Sequence, residues 1–262
     1  MMGWIDGIMS VYAVSDLHGQ YNTFIKGLEK IGFSDADTLY VIGDAIDRGP
    51  DGIKILRYIR EHDNMDLILG NHEFMMLNSV PADGGPGFDG VDADIWLFFN
   101  GGITTYEEYG NISVEQKKTI LGWLATRQVI KIIDINGTEF CLTHSFYIPG
   151  CENKRYDELT YDTVSHIVWD SIYRTGDDTH AEDIYGNYDH IFVTGHVPVQ
   201  RIYMSYEGDD DYNRLEMHRH GNLLCIDGGC ALGYNSGINN GAIFLRLDDL
   251  KEFPVPVVAQ QS

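Results

Sequence analysis

The sequence predicts an α/β fold in which two facing β-sheets are flanked by helices, an α/β/β/α sandwich. Up to residue 77, short apolar runs alternate with segments of helical periodicity, which is typical of βαβ units and a parallel sheet. The second half is richer in strand patterns, and Asn136-Gly137 joins two of them as in a tight hairpin. We therefore expect the β-rich second half to pack against the βαβ first half.

Hydrophobic periodicity predicts the bounds of the individual elements. Apolar side chains at helical spacing, such as Phe24, Ile25 and Leu28, indicate amphipathic helices, and short apolar runs indicate strands. The predicted strands are 11–14, 39–42, 67–69, 129–135, 138–143, 191–194, 223–226 and 242–247. The predicted helices are 21–31, 53–59 and 74–77, with a mostly helical pattern over 94–124. Ser113 and Gln116 form a capping-box pattern inside that last stretch.

Composition and charge exclude several functions. The chain carries 18 Lys and Arg against 40 Asp and Glu, a net charge of −22. Proteins that bind nucleic acids or anionic membranes use basic surfaces, so neither partner is expected. No apolar run is long enough to span a bilayer, and the N-terminus lacks the basic region of a signal peptide. We therefore expect a cytoplasmic protein.

Chemically active side chains follow the predicted strands at five places. Three strands end in Asp16-Leu17-His18-Gly19, Gly43-Asp44-Ala45-Ile46-Asp47-Arg48-Gly49 and Gly70-Asn71-His72-Glu73. Two later strands end in His144 and His196. Because functional groups collect at the carboxyl ends of the strands in an open parallel sheet, we expect these loops to lie side by side.

The residue types in these loops indicate a metal site. Carboxylate, imidazole and amide-oxygen ligands together suit a first-row divalent ion such as Mn²⁺, Fe or Zn²⁺. A centre with two ions needs about three to four protein ligands for each ion, with one ligand shared. The predicted ligands are Asp16, His18 and Asp44 for one ion, and Asp44, Asn71, His144 and His196 for the other. We expect Asp44 to bridge the two ions because it lies in the middle loop.

The motifs DLHG, GDAIDRG and GNHE, in this order, resemble those of the phosphoprotein phosphatase (PPP) family of metallophosphatases. The resemblance runs from about residue 12 to residue 245 and looks closest to the short bacterial and phage serine/threonine phosphatases. Trp96, Trp169 and the segment 226–229 also fit that subgroup. The resemblance implies the calcineurin-like metallophosphatase fold, a single metallophosphoesterase domain over residues 1–262, and two divalent ions, with Mn²⁺ favoured.

The resemblance also implies roles for residues around the two ions. Water activated by the metal would attack phosphorus in line, without a phosphoenzyme intermediate. The implied phosphate-binding residues are Arg48, Asn71 and Arg174, the last because a second arginine is expected shortly after the Trp-containing segment. The implied general acid for the leaving alkoxide is His72, whose ring Asp47 would orient and keep protonated.

These observations favour a Mn²⁺-dependent serine/threonine protein phosphatase acting on a phosphoprotein or phosphopeptide. The alternative is a dinucleoside tetraphosphate hydrolase, which shares the metal scaffold. That group usually has Ala-Arg-Gly in its second motif and Asp at the end of its third, where this chain has Asp47 and Glu73. A phosphodiesterase is disfavoured by the acidic composition, and a non-catalytic binding module by the presence of every expected ligand. The oligomeric state is not predicted.

Overall fold

The computed structural model describes residues 9–88, 90–171, 173 and 185–259. In the first part of the chain, strands and helices alternate as predicted. They are β1 (Val11–Val14), α1 (Tyr21–Ile31), β2 (Thr38–Ile42), α2 (Gly52–Arg60), β3 (Met65–Ile68) and α3 (Asn71–Leu77). The strands β1, β2 and β3 pair in parallel, which confirms the predicted βαβ organisation.

The middle of the chain contains helices and the predicted hairpin. A π-helical segment (Ile95–Phe99) precedes α4 (Ile103–Gly110) and α5 (Val114–Ala125), and β4 (Ile130–Ile135) and β5 (Thr138–Thr143) follow. At the turn between these strands, Asn136 and Gly137 have φ angles of 55° and 84°, as a tight hairpin turn requires. The Ser113 hydroxyl accepts a hydrogen bond from the Gln116 N–H, which confirms the capping box of α5.

The last part of the chain is dominated by short strands. A 3₁₀ turn (Tyr156–Glu158) and α6 (Tyr161–Trp169) precede β6 (Ile191–Thr194), and α7 (Val199–Arg201) continues into a second π-helical segment (Ile202–Tyr206). Next come β7 (His218–His220), β8 (Leu223–Cys225), a 3₁₀ turn (Cys230–Leu232), β9 (Gly241–Arg246) and β10 (Lys251–Pro256).

These strands form two five-stranded sheets. The first sheet has the order β10-β9-β1-β2-β3, and the second has the order β4-β5-β6-β8-β7. In the first sheet, β9 runs antiparallel to both β1 and β10. In the second sheet, β5, β6 and β8 are parallel, and the edge strands β4 and β7 are antiparallel to their neighbours.

The first sheet is buried on both of its faces. Ala13 of β1 belongs to one apolar cluster with Leu142 of β5 and Val193 of β6, so this face packs against the second sheet. The next residue, Val14, belongs to a second cluster with Phe24 of α1, on the face covered by helices. Full burial of one such side chain contributes about 1.5–3 kcal/mol. The two clusters therefore hold the layers together, and the predicted sandwich of facing sheets flanked by helices is confirmed.

The layers bring the carboxyl ends of the parallel strands together. The Asp16 N–H donates to the Gly43 carbonyl (3.1 Å) within the first sheet, and the Gly195 N–H donates to the His144 carbonyl (2.9 Å) within the second. The His196 N–H donates to the Asp16 carboxylate (3.0 Å) and so joins the two sheets at this edge. Within the described ranges, no helix has the length and apolar character that a membrane span requires.

Candidate active site

The loops at this edge hold strained backbone conformations. Six of their residues, none of them glycine, have φ angles between 43° and 72°, in the left-handed region. They are Asp16, His18, Asp44, Asp47, Arg48 and His196. Each such residue costs about 1–2 kcal/mol, and among the described residues only Asn136, Asn153 and Leu250 share the feature elsewhere. Strain of this kind concentrates at functional sites, where it aims side chains that regular strands would point elsewhere.

Gly43 allows the loop after β2 to pass close to its neighbours. Its φ angle is 74°, and a Cβ atom at this position would lie 2.5 Å from Nδ1 of His144 and 2.6 Å from Cα of Gly70. No side chain fits in that space. The glycine at the start of GDAIDRG is therefore needed to bring Asp44 beside the loop that carries His144.

Asp44 lies at the centre of the candidate site. Its Oδ2 is 3.7 Å from Nε2 of His18 and 3.4 Å from Nε2 of His144. The same oxygen is 3.7 Å from Nε2 of His72, and Oδ1 accepts a hydrogen bond from the His72 backbone N–H (3.1 Å). The carboxylate is buried between ring nitrogens that come from both sheets. This is the position expected of a bridging ligand.

Two groups of side chains at the site have ligand atoms close enough to hold a metal ion. They are His18 with Asp44 and His72, and Asp44 with His144 and His196. Asn71 adds an amide oxygen to the second group, because its Oδ1 is 2.9 Å from Nε2 of His144 and 3.1 Å from Nδ1 of His196. Asp16 borders the first group, with Oδ1 4.0 Å from Nε2 of His18.

The donor atoms fit divalent ions in their spacing and orientation. Bonds of about 2.0–2.2 Å to one ion place neighbouring ligand atoms about 3 Å apart, which is the separation between the Asn71 amide oxygen and the two ring nitrogens. The carbonyls of Ile46 and Ile42 lie 3.1 Å from Nδ1 of His18 and 3.0 Å from Nδ1 of His144. Each ring can therefore donate from Nδ1 and present Nε2 to an ion, as metal-binding histidines do.

The charges of the site also favour a bound cation. Among the described residues, no lysine or arginine forms an ion pair with Asp16 or Asp44. Burial and the charge of Asp227 raise the pKa of Asp16, and burial raises the pKa of Asp227 to about 6. Burial and the neighbouring His144 lower the pKa of His196 to about 3, which keeps that ring neutral, the state that binds metals. Buried carboxylates without basic partners are stabilised when cations bind between them.

His72 is held by a hydrogen-bond chain rather than by a carbonyl. Its Nδ1 is 2.6 Å from Oδ2 of Asp47, and that oxygen also accepts a hydrogen bond from Nε1 of Trp96 (2.8 Å). Burial opposes protonation of the His72 ring, but the carboxylates of Asp44 and Asp47 outweigh it and raise its pKa. An imidazole that a carboxylate orients and keeps protonated is suited to donate a proton from its other nitrogen.

Arg48 is an exposed arginine that lies beside His72. Its backbone N–H donates to the Gly101 carbonyl (3.1 Å), and its Nη2 lies 3.4 Å from Nε2 of His72. The guanidinium is accessible to a ligand at the place where the candidate proton donor and Asp44 converge. This arrangement suits the binding of phosphate oxygens beside the reacting bond.

Glu73 supports the loop that carries Asp44. Its buried carboxylate accepts hydrogen bonds from the backbone N–H groups of Asp44 (2.9 Å), Ala45 (2.8 Å) and Gly70 (3.1 Å). Burial and the charge of Asp44 raise the pKa of Glu73 to about 7. The side chain faces backbone donors, so it positions a ligand and is not itself one of the grouped ligands.

A cavity of about 200 Å³ opens onto these groups. Its lining residues are His18, Asp44, Arg48, Asn71, His72, Asn100, Trp169, His196, Val197, Pro198, Arg201 and Asp227. The predicted site residues are thus together, either lining the cavity or in contact with residues that do. The exception is Arg174, which falls outside the described residues, so the structure does not address its predicted role.

Sequence reasoning gave no role in the site to some of the lining residues. Asp227 follows β8 in the same way that Asp16 follows β1, so the strand-end rule could have found it. The Trp169 ring packs edge-on against the His196 ring, with centroids 6.0 Å apart. Arg201 is the last residue of α7 and does not follow a strand, and no motif pointed to it.

The family of the chain follows from a direct comparison. Residues 9–228 match the calcineurin-like phosphoesterase family. This chain is therefore a calcineurin-like metallophosphoesterase, a family that uses a dinuclear divalent metal centre. Its fold and its clustered carboxylate and imidazole groups agree with that membership.

The chain is also similar to individual proteins of known name, one by sequence and two by structure. A symmetrical bis(5'-nucleosyl)-tetraphosphatase from Buchnera aphidicola subsp. Schizaphis graminum is 32% identical over 126 residues, which is 47% of this chain and 40% of the relative. The chain thus matches less than half the length of that protein. A solved structure of a putative diadenosine tetraphosphatase has a TM-score of 0.59, with 17% identity over 97% of this chain and 96% of that one. A serine/threonine phosphatase from Saccharomyces cerevisiae has a TM-score of 0.60, with 14% identity over 97% of this chain and 81% of that one.

These comparisons contradict the prediction of a serine/threonine protein phosphatase. The named relatives point to a nucleotide hydrolase, and the two structural likenesses show only a shared fold. The physical reason for the error lies in the two residues used to choose between the groups. Asp47 holds His72 and Trp96, and Glu73 holds backbone N–H groups. Both residues support the site from within, so neither reports on the substrate.

Proposed function

We propose that this protein hydrolyses dinucleoside tetraphosphates symmetrically, into two nucleoside diphosphates. The observation that supports hydrolysis at phosphorus is the position of Asp44 between two groups of metal-binding side chains, with Arg48 exposed beside them. The choice of substrate is supported by the similarity to a symmetrical bis(5'-nucleosyl)-tetraphosphatase. The reaction adds water to one of the two central phosphorus atoms and breaks its bond to the oxygen that bridges to the other.

The proposed metal ligands are Asp16, His18, Asp44, Asn71, His144 and His196. Two divalent ions bound there, Mn²⁺ in our proposal, would polarise phosphoryl oxygens and activate the attacking water. Ile42 and Ile46 keep the Nδ1 atoms of two ligand histidines occupied, and Glu73 holds the Asp44 loop in its strained conformation. These contacts pre-organise the ligands, so little rearrangement is needed when the ions bind.

The other residues act on the phosphate chain. Arg48 binds oxygens of the phosphate under attack by charge-assisted hydrogen bonds, and Asn71 lies beside it in the cavity. His72, oriented by Asp47, donates a proton from Nε2 to the oxygen of the departing nucleoside diphosphate. A diphosphate is a far better leaving group than an alkoxide, so this proton transfer lowers the barrier less for a tetraphosphate than for an alkyl monoester.

The test is product analysis with metal-stripped protein to which Mn²⁺ is restored. Diadenosine tetraphosphate and a phosphothreonine peptide are incubated at equal concentration, and products are separated by anion-exchange chromatography. We expect ADP as the only nucleotide product, no turnover without metal, and none by the Asp44→Asn variant. Formation of ATP and AMP would contradict symmetrical cleavage, and phosphate release from the peptide without dinucleotide cleavage would contradict the proposed substrate.

A further inference from the structure

Arg201 is an exposed arginine on a hydrogen-bonded turn that lines the cavity. It ends α7, five residues after His196, and its backbone N–H donates to the Pro198 carbonyl (2.8 Å). Its two neighbours in the chain are buried. The amide nitrogen Nε2 of the preceding residue, Gln200, lies within hydrogen-bonding distance, at 2.9–3.1 Å, of the carbonyl oxygens of Arg214, Gly228 and Asn239. The backbone that carries the guanidinium is therefore anchored.

The guanidinium of Arg201 has no protein partner within the described part of the chain. Apart from Arg48, which lines the same cavity, every other described arginine forms an ion pair or hydrogen bond through its guanidinium, including the exposed Arg219. The chain has a net charge of −22, so carboxylates are plentiful. An anchored arginine that faces a cavity and is not neutralised is available for an anionic ligand.

We infer that Arg201 binds the phosphate groups beyond the one that is attacked, and so selects polyphosphate chains over simple monoesters. This inference rests on the proposed function for the identity of the natural substrate. A tetraphosphate carries about four negative charges, and Arg48 contributes one positive charge at the reacting phosphate. Arg201 lines the same cavity and supplies a second fork of N–H donors for oxygens further along the chain. Once Arg48 holds its single phosphoryl group, a monoester has no further phosphate to offer Arg201.

The first test compares Arg201→Gln and Arg201→Lys with wild type on diadenosine tetraphosphate and p-nitrophenyl phosphate. Loss of a charge-assisted hydrogen bond predicts that kcat/KM for the tetraphosphate falls about 10–100-fold in Arg201→Gln. We expect this loss to exceed the loss on the monoester by at least about tenfold, and Arg201→Lys to recover part of it because it keeps the charge. The control is Arg219→Gln, an exposed arginine outside the cavity, which should affect neither substrate. Equal losses on the two substrates would overturn the inference.

The second test measures binding, so its result does not depend on the proposed reaction. Inorganic tripolyphosphate and orthophosphate are titrated calorimetrically into the metal-loaded protein at constant free Mn²⁺. We expect Arg201→Gln to weaken tripolyphosphate binding at least tenfold more than orthophosphate binding. If wild type fails to cleave the tetraphosphate but this difference is found, the proposed function is wrong and the inference stands. If the variant binds both anions as wild type does, the inference is wrong whatever the enzyme cleaves.

Discussion

Two aspartates at opposite ends of neighbouring strands have different partners. Asp66, near the start of β3, is neutralised by the chain itself, with Arg127 Nη1 at 2.7 Å from Oδ1 and Lys131 Nζ at 3.3 Å from Oδ2. Asp44, just after β2, faces three imidazole Nε2 atoms at 3.4–3.7 Å and, among the described residues, no lysine or arginine within ion-pairing distance. The first aspartate is part-exposed and the second is buried.

The difference separates a structural carboxylate from a ligand. An aspartate with two basic partners needs nothing from outside the chain, and its backbone is ordinary. A buried aspartate in a left-handed conformation, surrounded by imidazole nitrogens and, among the described residues, without a lysine or arginine partner, is arranged to bind a cation. The strained backbone and, among the described residues, the lack of a lysine or arginine partner both single out the Asp44 carboxylate. The comparison of Asp44 with Asp66 can be tested residue by residue.

The largest expected effect is on catalysis. Asp44→Asn should lower turnover of diadenosine tetraphosphate at least roughly a thousandfold, because several kcal/mol of electrostatic stabilisation are lost and each 1.4 kcal/mol is a factor of ten. Asp66→Asn removes the same charge away from the cavity and should change turnover less than about twofold. Steady-state kinetics with saturating Mn²⁺ checks both. Similar losses in the two variants would show that the comparison has no functional meaning.

The next largest effect tests whether His72 acts as a proton donor rather than as a metal ligand. A general acid contributes about 10²–10⁴-fold, and it matters most when the leaving group is poor. We expect His72→Asn to lower the rate of phenyl phosphate hydrolysis by this factor. The loss on p-nitrophenyl phosphate, which has a better leaving group, should be at least tenfold smaller. His62→Asn, two residues after α2 and away from the cavity, is the matched control. An equal loss on both esters would assign His72 to metal binding instead.

Glu73 is expected to contribute to folding stability. Glu73→Gln places an amide N–H₂ against backbone donors that the carboxylate now satisfies, and we expect a loss of about 2–3 kcal/mol in the free energy of unfolding. Urea denaturation of the metal-free protein measures the change, with exposed Glu29→Gln as the control. Equal stability of the two variants would mean that the Asp44 loop does not depend on this carboxylate.

The smallest effect is expected at Asp66. Its ion pairs are part-exposed, so Asp66→Asn should lower the free energy of unfolding by only about 1 kcal/mol. The loss should shrink as salt is added, because salt screens exposed charges. A loss above about 3 kcal/mol would place Asp66 among the buried, energetically critical carboxylates and remove the contrast with Asp44.

The sequence predicted the elements whose signals are local. The hairpin at Asn136 and Gly137, the capping box of α5 and the first three parallel strands follow from neighbouring residues alone. The predicted site residues outside Arg174 lie together because each comes shortly after a strand, either in the loop there or, for Asn71 and His72, in the first turn of α3. Functional groups collect at the carboxyl ends of the strands in a parallel sheet, so recognising the sheet is enough to predict that these residues meet.

Other features depend on contacts that sequence spacing does not reveal. The strand β10 contains Pro254 and Pro256, which argue against a strand, yet it forms because it pairs only with β9 at a sheet edge. The Trp96 indole reaches Asp47 across 49 positions. Arg201 enters the cavity from a short helix, so its direction depends on how Gln200 is anchored. The motifs hold the residues of the metal site, and in our proposal the choice of substrate depends on cavity residues outside them, such as Arg201.

The central claim is that the cluster around Asp44 binds two divalent ions. Isothermal titration calorimetry of the metal-stripped protein with Mn²⁺ tests it most directly. We predict two ions per wild-type chain, two for Asp66→Asn, and fewer ions with weaker affinity for Asp44→Asn. Unchanged Mn²⁺ binding by Asp44→Asn, or no binding by wild type, would contradict the account.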